Sequence, residues 1–268
     1  MKRSLFQGII IALVFISIWL CLTQIKWVSI FEIEKKTDRL EKELGELLIK
    51  EFETTKIENI FVTNTIDSLV TKICKANQID RKNIKPQIIK NQEINALALP
   101  DGHLIIYSSL ISKTKSQEEL SAIICHEIAH IQLNHIMKKL ITEVGLSVLI
   151  SSITGNNSES TGEFLKIISS SAFDRNLEKD ADLNAIDYLL KAKINPEALA
   201  NFLYALSIDK NNDVINLSWI SSHPELEKRV NYIIKYSKDK EHAKFQNILN
   251  NSTWEKLKAE LNKIELEN

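Results

Sequence analysis

A chain of 268 residues with a formal net charge of −1 holds one sizeable domain plus an appendage, and it has no basic field for nucleic acid. Six glycines and four prolines, in a chain rich in Lys, Asn and Ile, favour a mostly helical protein. Three cysteines, Cys21, Cys74 and Cys125, are too few for a disulfide framework, and a Cys74–Cys125 bridge stays open.

Lys2 and Arg3 precede an apolar run from Leu5 to Leu22, broken only by Gln7, Gly8 and Ser17. The run is long enough to span a bilayer and longer than most signal-peptide cores. No small-x-small cleavage site follows, and Leu20 before Cys21 fits a lipoprotein signal poorly. Residues 1–24 therefore read as one N-terminal membrane anchor, with Trp19 and Trp27 near the outer interface. Lys2 and Arg3 on the cytoplasmic side would send the rest of the chain outward, into a periplasmic-type compartment. The alternative is a cleaved signal and a soluble secreted or periplasmic protein. Residues 25–58 are charge-rich, with Leu40, Leu44, Leu47 and Leu48 at helical spacing, and predict an amphipathic connecting helix.

From Ile60 to Ala76, Ile66, Leu69, Val70 and Ile73 line one side of a helix. Pro86–Lys90 and Ala96–Leu99 read as strands, Pro100-Asp101-Gly102 as a turn, and Leu104–Tyr107 as the return strand of a hairpin. A short sheet of this kind offers an edge to which an extended peptide can add. His103, near the hairpin tip, is expected to be solvated.

The next stretch, Ser121-Ala122-Ile123-Ile124-Cys125-His126-Glu127-Ile128-Ala129-His130-Ile131, is apolar almost all round. A helix like that must be buried. Ser116 is its expected cap, with Glu119 three residues on to close a capping box. His126 and His130, spaced i, i+4, leave the same face one turn apart, and Glu127 lies next to that face. This is the HExxH arrangement, in which two imidazoles hold zinc and the glutamate works on the metal-bound water. Cys125 points about a hundred degrees away from His126, and His135 lies about half a turn round, so neither is read as a ligand.

Ile141–Ile153 is apolar but too short for a second span. Gly155–Gly162, with Asn156, Asn157, Ser158 and Ser160, predicts a flexible loop, either a lid over the site or idle surface. Arg175–Leu190 reads as a second helix, on which Glu178 and Asp182 share a face beside an apolar stripe. Pro196 opens a helix through Leu206, and Pro224 another through Tyr236. Residues 237–268 predict one polar helical tail around Phe245, Ile248, Leu249, Trp254, Leu257 and Leu261, with His242 solvated.

HExxH followed by ExxxD on a second helix resembles the glutamate-zincins. Three further segments narrow the likeness. Ile94-Asn95-Ala96-Leu97-Ala98-Leu99-Pro100-Asp101-Gly102 is similar to an Asn-Ala…Pro-x-Gly hairpin, and Phe173-Asp174-Arg175…Glu178…Ala181-Asp182 to a Ser-Arg-x-x-Glu-x-x-Ala-Asp segment, with Asp174 where serine is usual. Ser222-His223-Pro224…Arg229 resembles a late His-Pro…Arg motif. In this order they resemble the HtpX-like and CAAX-prenyl-protease type I family, family forty-eight of the metallopeptidases.

The resemblance implies a mainly helical α+β fold: a zincin-like (gluzincin) domain over residues 59–236, its hairpin beside the HExxH helix, behind one transmembrane helix. It implies one Zn2+ per chain held by His126, His130 and Glu178, with Glu127 as general base and Asp182 as the acceptor that orients a ligand histidine. His223 and Arg229 are implied as donors to substrate or transition state, with His223 as a resting-state zinc ligand the alternative. Asn95, Ala96, Leu97 and Ala98 would receive the substrate, an unfolded, misassembled or membrane-proximal protein. The competing class is a catalytically idle, zinc-stabilised holdase or adaptor at the membrane, against which an intact Glu127 argues.

Overall fold

The computed structural model describes Gln7, Ile16 and residues 33–154, 158–209, 218–240 and 244–266. The chain divides into two units, Met1–Leu40 and Glu41–Asn268. Apart from Gln7 and Ile16, the expected anchor lies outside the described residues, as do Trp19, Cys21, Trp27 and His242. No helix among the described residues is long and apolar enough to cross a membrane.

Helix α1 (Ile33–Ile49) runs into a short 3-10 turn, Lys50–Thr55, so the expected connecting helix ends earlier than residue 58. In its second half Leu44 and Leu48, one turn apart, are fully buried. Gly45 lets α1 approach the hairpin turn, because a Cβ there would lie 2.7 Å from the Pro100 carbonyl oxygen. Helix α2 (Ile60–Asn77) starts at Asn59, whose side chain accepts from the Val62 N–H, and buries Val62, Ile66, Leu69, Val70 and Ile73.

Three strands follow: β1 (Lys85–Ile89), β2 (Ala96–Ala98) and β3 (His103–Tyr107), in the order β1-β3-β2. β1 pairs with β3 in parallel, Lys85 opposite His103, while β2 and β3 form the expected antiparallel hairpin with Leu97 opposite Ile105. Gly102, at φ +71, closes the turn where a side chain would run into the Asn83 carbonyl. β2 is thus an edge strand. His103, expected to be solvated, is buried, with Nε2 4.0 Å from Asp101 Oδ2. The hairpin tip is covered on that side, so chain position misjudged its exposure.

Helix α3 (Ser108–Lys113) leads to the central helix α4 (Gln117–Gln132). Ser116 Oγ accepts from the Glu119 N–H at 3.3 Å, and the Glu119 carboxylate accepts from Lys115 N–H at 2.7 Å, one residue before the usual partner. Every residue of α4 from Glu119 to Ile131 is buried, as its apolar circumference demands. Helices α5 (His135–Val144) and α6 (Leu146–Thr154) meet at Gly145, and α7 spans Ser158–Ser170. The expected flexible loop is therefore helical from Ser158 onward; residues 155–157 lie outside the described residues. Phe164 and Ile168, four apart, are each 1 % exposed, and burying them outweighs the loop-forming composition before them.

Helix α8 (Arg175–Lys191) crosses α4 and buries Ala181, Ala185, Ile186 and Leu189. Asp174 caps it, accepting from the Asn176 N–H at 2.8 Å, so a carboxylate serves where the related motif has serine. Helices α9 (Glu197–Asp209), α10 (Ser218–Ser222) and α11 (Leu226–Lys238) complete the bundle. The tail is not one helix: α12 begins only at Asn251 and ends at Leu266, while Phe245, Ile248 and Leu249 lie in the irregular segment before it. Gln117 on α4 bonds both the N–H and the C=O of Leu249, which holds that segment in place without helical hydrogen bonds. Cys74 and Cys125 are free and buried, so the bridge left open by the sequence is absent.

Candidate metal centre

Four side chains from three parts of the fold converge. α4 supplies His126 and His130, α8 supplies Glu178, and His223 enters from the turn between α10 and α11. One candidate ligand atom from each lies within 4.8 Å of all the others. His126 Nε2 is 3.1 Å from His130 Nε2 and 3.3 Å from His223 Nδ1, and Glu178 Oε1 is 2.8 Å from His223 Nδ1 and 3.3 Å from His130 Nε2. All four residues are at most 3 % exposed.

The outer nitrogens of the two rings face polar groups. His126 Nδ1 lies 3.0 Å from Asp182 Oδ1, and His130 Nδ1 lies 3.2 Å from His135 Nδ1. A proton on each Nδ1 leaves both Nε2 lone pairs facing inward at each other, an arrangement that one cation relieves. Three imidazoles and a carboxylate are a donor set suited to zinc. The residues present therefore fit the metal.

Arg229 stands behind the carboxylates. Its Nε and Nη2 reach the two oxygens of Asp182 at 2.9 and 2.7 Å, and Nη1 lies 2.6 Å from Glu178 Oε2 and donates to the His223 carbonyl at 3.3 Å. Tyr232 donates to Asp182 as well. Burial opposes the Glu178 charge, yet His223 and Arg229 hold its carboxyl well below the usual range; Arg229 does the same for Asp182, down to about 2. Arg229 is 2 % exposed, and its guanidinium lies against both carboxylates and the His223 carbonyl.

Glu127 lies in different surroundings. Its Oε2 accepts from the Ala98 N–H of β2 at 3.0 Å, while Oε1 has no hydrogen-bond partner and lies 3.5 Å from His223 Nε2. Burial pushes its carboxyl up to about 7, against the opposing pull of the His126 ring. A carboxyl poised near neutrality thus sits beside the ring nitrogens and against the sheet edge.

Residues 62–237 match the family model of peptidase family M48. The chain belongs to that family. It is 25% identical over 186 residues to the beta-barrel assembly-enhancing protease of Yersinia pestis, covering 62% of this chain and 37% of that protein. It is 26% identical over 164 residues to metalloprotease LoiP of Escherichia coli (strain K12), 59% of this chain and 64% of the relative. Against the mitochondrial metalloendopeptidase OMA1 of Saccharomyces cerevisiae it is 27% identical over 202 residues, 68% of this chain and 55% of the relative. The matched stretch thus spans between 37% and 64% of the length of these three relatives.

Within this M48 domain, the structure brings together His126, Glu127, His130, Glu178, Asp182, His223 and Arg229. Of Asn95, Ala96, Leu97 and Ala98, Ala98 reaches the centre through its N–H to Glu127. Asn95 is fully buried, with both side-chain polar atoms unpartnered and its carbonyl accepting from Tyr107 N–H.

Three residues of the site were not anticipated. His135 backs His130, because α4 stops at Gln132 and Asn134, at φ 54, turns the chain back; the half-turn reckoning assumed an unbroken helix. The Leu133-Asn134 pair was the available signal, since Asn often ends a helix in this conformation. Trp219 is fully buried and stacks on the His223 ring at 4.4 Å, and Phe173 covers the His130 ring at 4.4 Å and stacks on His223 at 5.5 Å. Nothing in the sequence separates such aromatic walls from ordinary core.

Proposed function

We propose that this chain is a zinc-dependent endopeptidase that cleaves protein substrates at the His126–His130–Glu178 centre. The observation that carries the reading is Glu127: a buried carboxyl with one free oxygen, beside converging imidazoles and bonded to an edge strand. Zinc, when bound, would supply Lewis acidity and lower the pKa of its water. Glu127 Oε1 takes the proton of the attacking water and returns it to the leaving amine, while the Ala98 N–H fixes the other carboxylate oxygen. Asp182 holds His126 in the tautomer whose Nε2 faces inward, and His135 does so for His130. An extended substrate would add along β2, on the side where Ala96 turns its N–H and C=O away from β3; Ala96 is fully buried in this closed arrangement, so that edge has to open first.

His223 takes the fourth place around the centre in this closed arrangement, so we assign it first to a resting state that must open before substrate enters. His223→Ala should then raise basal cleavage; a drop of a hundredfold or more with metal content unchanged would make it a transition-state donor instead. Quality control of misassembled, membrane-proximal proteins on the extracytoplasmic side agrees with the apolar N-terminal run and with a relative named for assembly of beta-barrels.

The test is metal analysis of the purified chain together with casein digestion, with and without chelator. One zinc per chain and chelator-sensitive digestion are expected, and Glu178→Ala should lose both. Stoichiometric zinc with no digestion under any condition would favour the idle holdase.

A further inference from the structure

Trp219 on α10 is fully buried, and its indole N–H closes no hydrogen bond among the described residues. Buried indoles ordinarily find a partner, because leaving the N–H without one is costly. A phenylalanine would fill the same space without that cost, so the N–H needs a reason of its own. The other half of the reason lies on α4. Glu127 Oε1 is buried and likewise closes no bond, and the indole acts on that carboxylate as a donor favouring its charged form. Ala98 N–H already holds Oε2 at 3.0 Å, which leaves Oε1 for the indole.

Both atoms stand beside one ring. His223 Nε2 lies 3.5 Å from Glu127 Oε1, and the His223 ring stacks on the indole at 4.4 Å, 26° from parallel. Trp219 is also held from other sides. Phe202 of α9 meets it edge-on at 5.6 Å, and the Arg229 guanidinium lies 5.1 Å over its ring. The imidazole can therefore turn off the centre about its own side-chain bonds while the indole stays in place.

We propose that Trp219 is a positioning residue for the cleavage, its indole N–H holding Glu127 Oε1 toward the attacking water once His223 has turned away. A carboxylate fixed at Oε2 alone still pivots about that one bond, and a donor at Oε1 removes the freedom. The inference rests on Glu127 as the proposed base and adds the residue that aims it.

Two replacements remove the N–H. Trp219→Phe keeps an aromatic face on His223, and 3-benzothienylalanine, placed at 219 by codon suppression, keeps the whole bicyclic shape. In the zinc-loaded full chain acting on casein, both should lower kcat by about tenfold, with KM and zinc content unchanged. In the Glu127→Gln background the same replacements should cost less than about twofold, because the indole acts through the carboxylate. The contact itself is read without turnover. The chain has four tryptophans, and indole-15N labelling in detergent gives each its own N–H signal. The signal missing from Trp219→Phe should move in Glu127→Gln while the others stay. Equal losses in both backgrounds would overturn the proposal, as would parent-level kcat with the isosteric analogue. A rise in basal cleavage would do the same, by making the indole part of what keeps His223 in place. An active parent with an unmoved indole signal would overturn this inference alone, whereas a zinc-loaded parent that never digests casein would overturn the proposed function and the positioning role with it.

Discussion

The carboxylates on α8 and the one on α4 share a buried site within a few ångströms, yet their surroundings drive them in opposite directions. Glu178 and Asp182 share the single charge of Arg229, which with the His223 ring keeps Glu178 ionised and does so for Asp182. Glu127 accepts one backbone N–H, and its other oxygen has the His223 ring and the Trp219 indole near it but no cation. Ligand and positioning groups must hold a charge permanently, whereas a base must exchange a proton near neutral pH. Separation of carboxyl pKa values within one site is what the proposed roles require.

The largest test of this division removes the cation. Arg229→Met leaves two buried carboxylates without compensation, and breaking a buried pair in this way costs about 3–5 kcal/mol. Denaturant unfolding of the metal-free protein should show that loss, and zinc content should fall. Unchanged stability would mean that the carboxylates are neutralised by some other group, and the contrast with Glu127 would dissolve.

Next comes the base. Glu127→Gln keeps the shape and can still accept from the Ala98 N–H, but it cannot take a proton. Turnover on casein should drop by about a hundredfold or more with zinc retained. Activity within a few-fold of the parent would remove Glu127 from the chemistry.

Legibility in the sequence divides along similar lines. Positions that follow from local spacing were readable: His126 and His130 one turn apart, Glu178 and Asp182 one turn apart, and, from turn chemistry, Pro100-Asp101-Gly102 between two β-rich runs. Residues whose positions depend on how the chain turns in space were not. His135 required knowing that the helix breaks at Asn134. Arg229 was placed at the site by its motif, but only its partners show that it faces inward to the carboxylates. Phe173 and Trp219 are aromatic residues in apolar surroundings, and sequence patterns carry no mark for the face of a ring. α7 was misread because Gly, Ser and Asn described its beginning while Phe164 and Ile168 decided its packing.

A smaller effect is expected from Asp182→Asn. The amide still accepts from His126 Nδ1 but loses the charge that Arg229 matches. Zinc affinity should weaken by about 10–100-fold, read by competition with a chromophoric chelator. An unchanged affinity would show that the carboxylate's charge does not reach the metal through His126.

The last effect is a pH dependence, and it belongs to the metal-free protein. Burial, more than any neighbour, lowers His130 to about 4 and His223 to about 3; it also lowers His135 to about 3, from an ordinary value near 6.5. Between about 6.5 and 4.5 the unfolded chain binds protons at these rings that the folded chain refuses, so stability falls as the pH drops. Glu127 works against them in the same window, because its raised carboxyl binds a proton when folded. His126, raised by Asp182 despite its burial, opposes them only above that window. The balance is a net proton uptake on unfolding, worth about 1.4 kcal/mol per pH unit for each net proton. Denaturant titrations of chelator-treated protein at pH 6.5, 5.5 and 4.5 should show the decline, steeper in Glu127→Gln, where the opposing carboxyl is gone. Stability that stays flat or rises on acidification would mean that the rings are already charged in the folded apo state, and that neutral nitrogens do not await the metal.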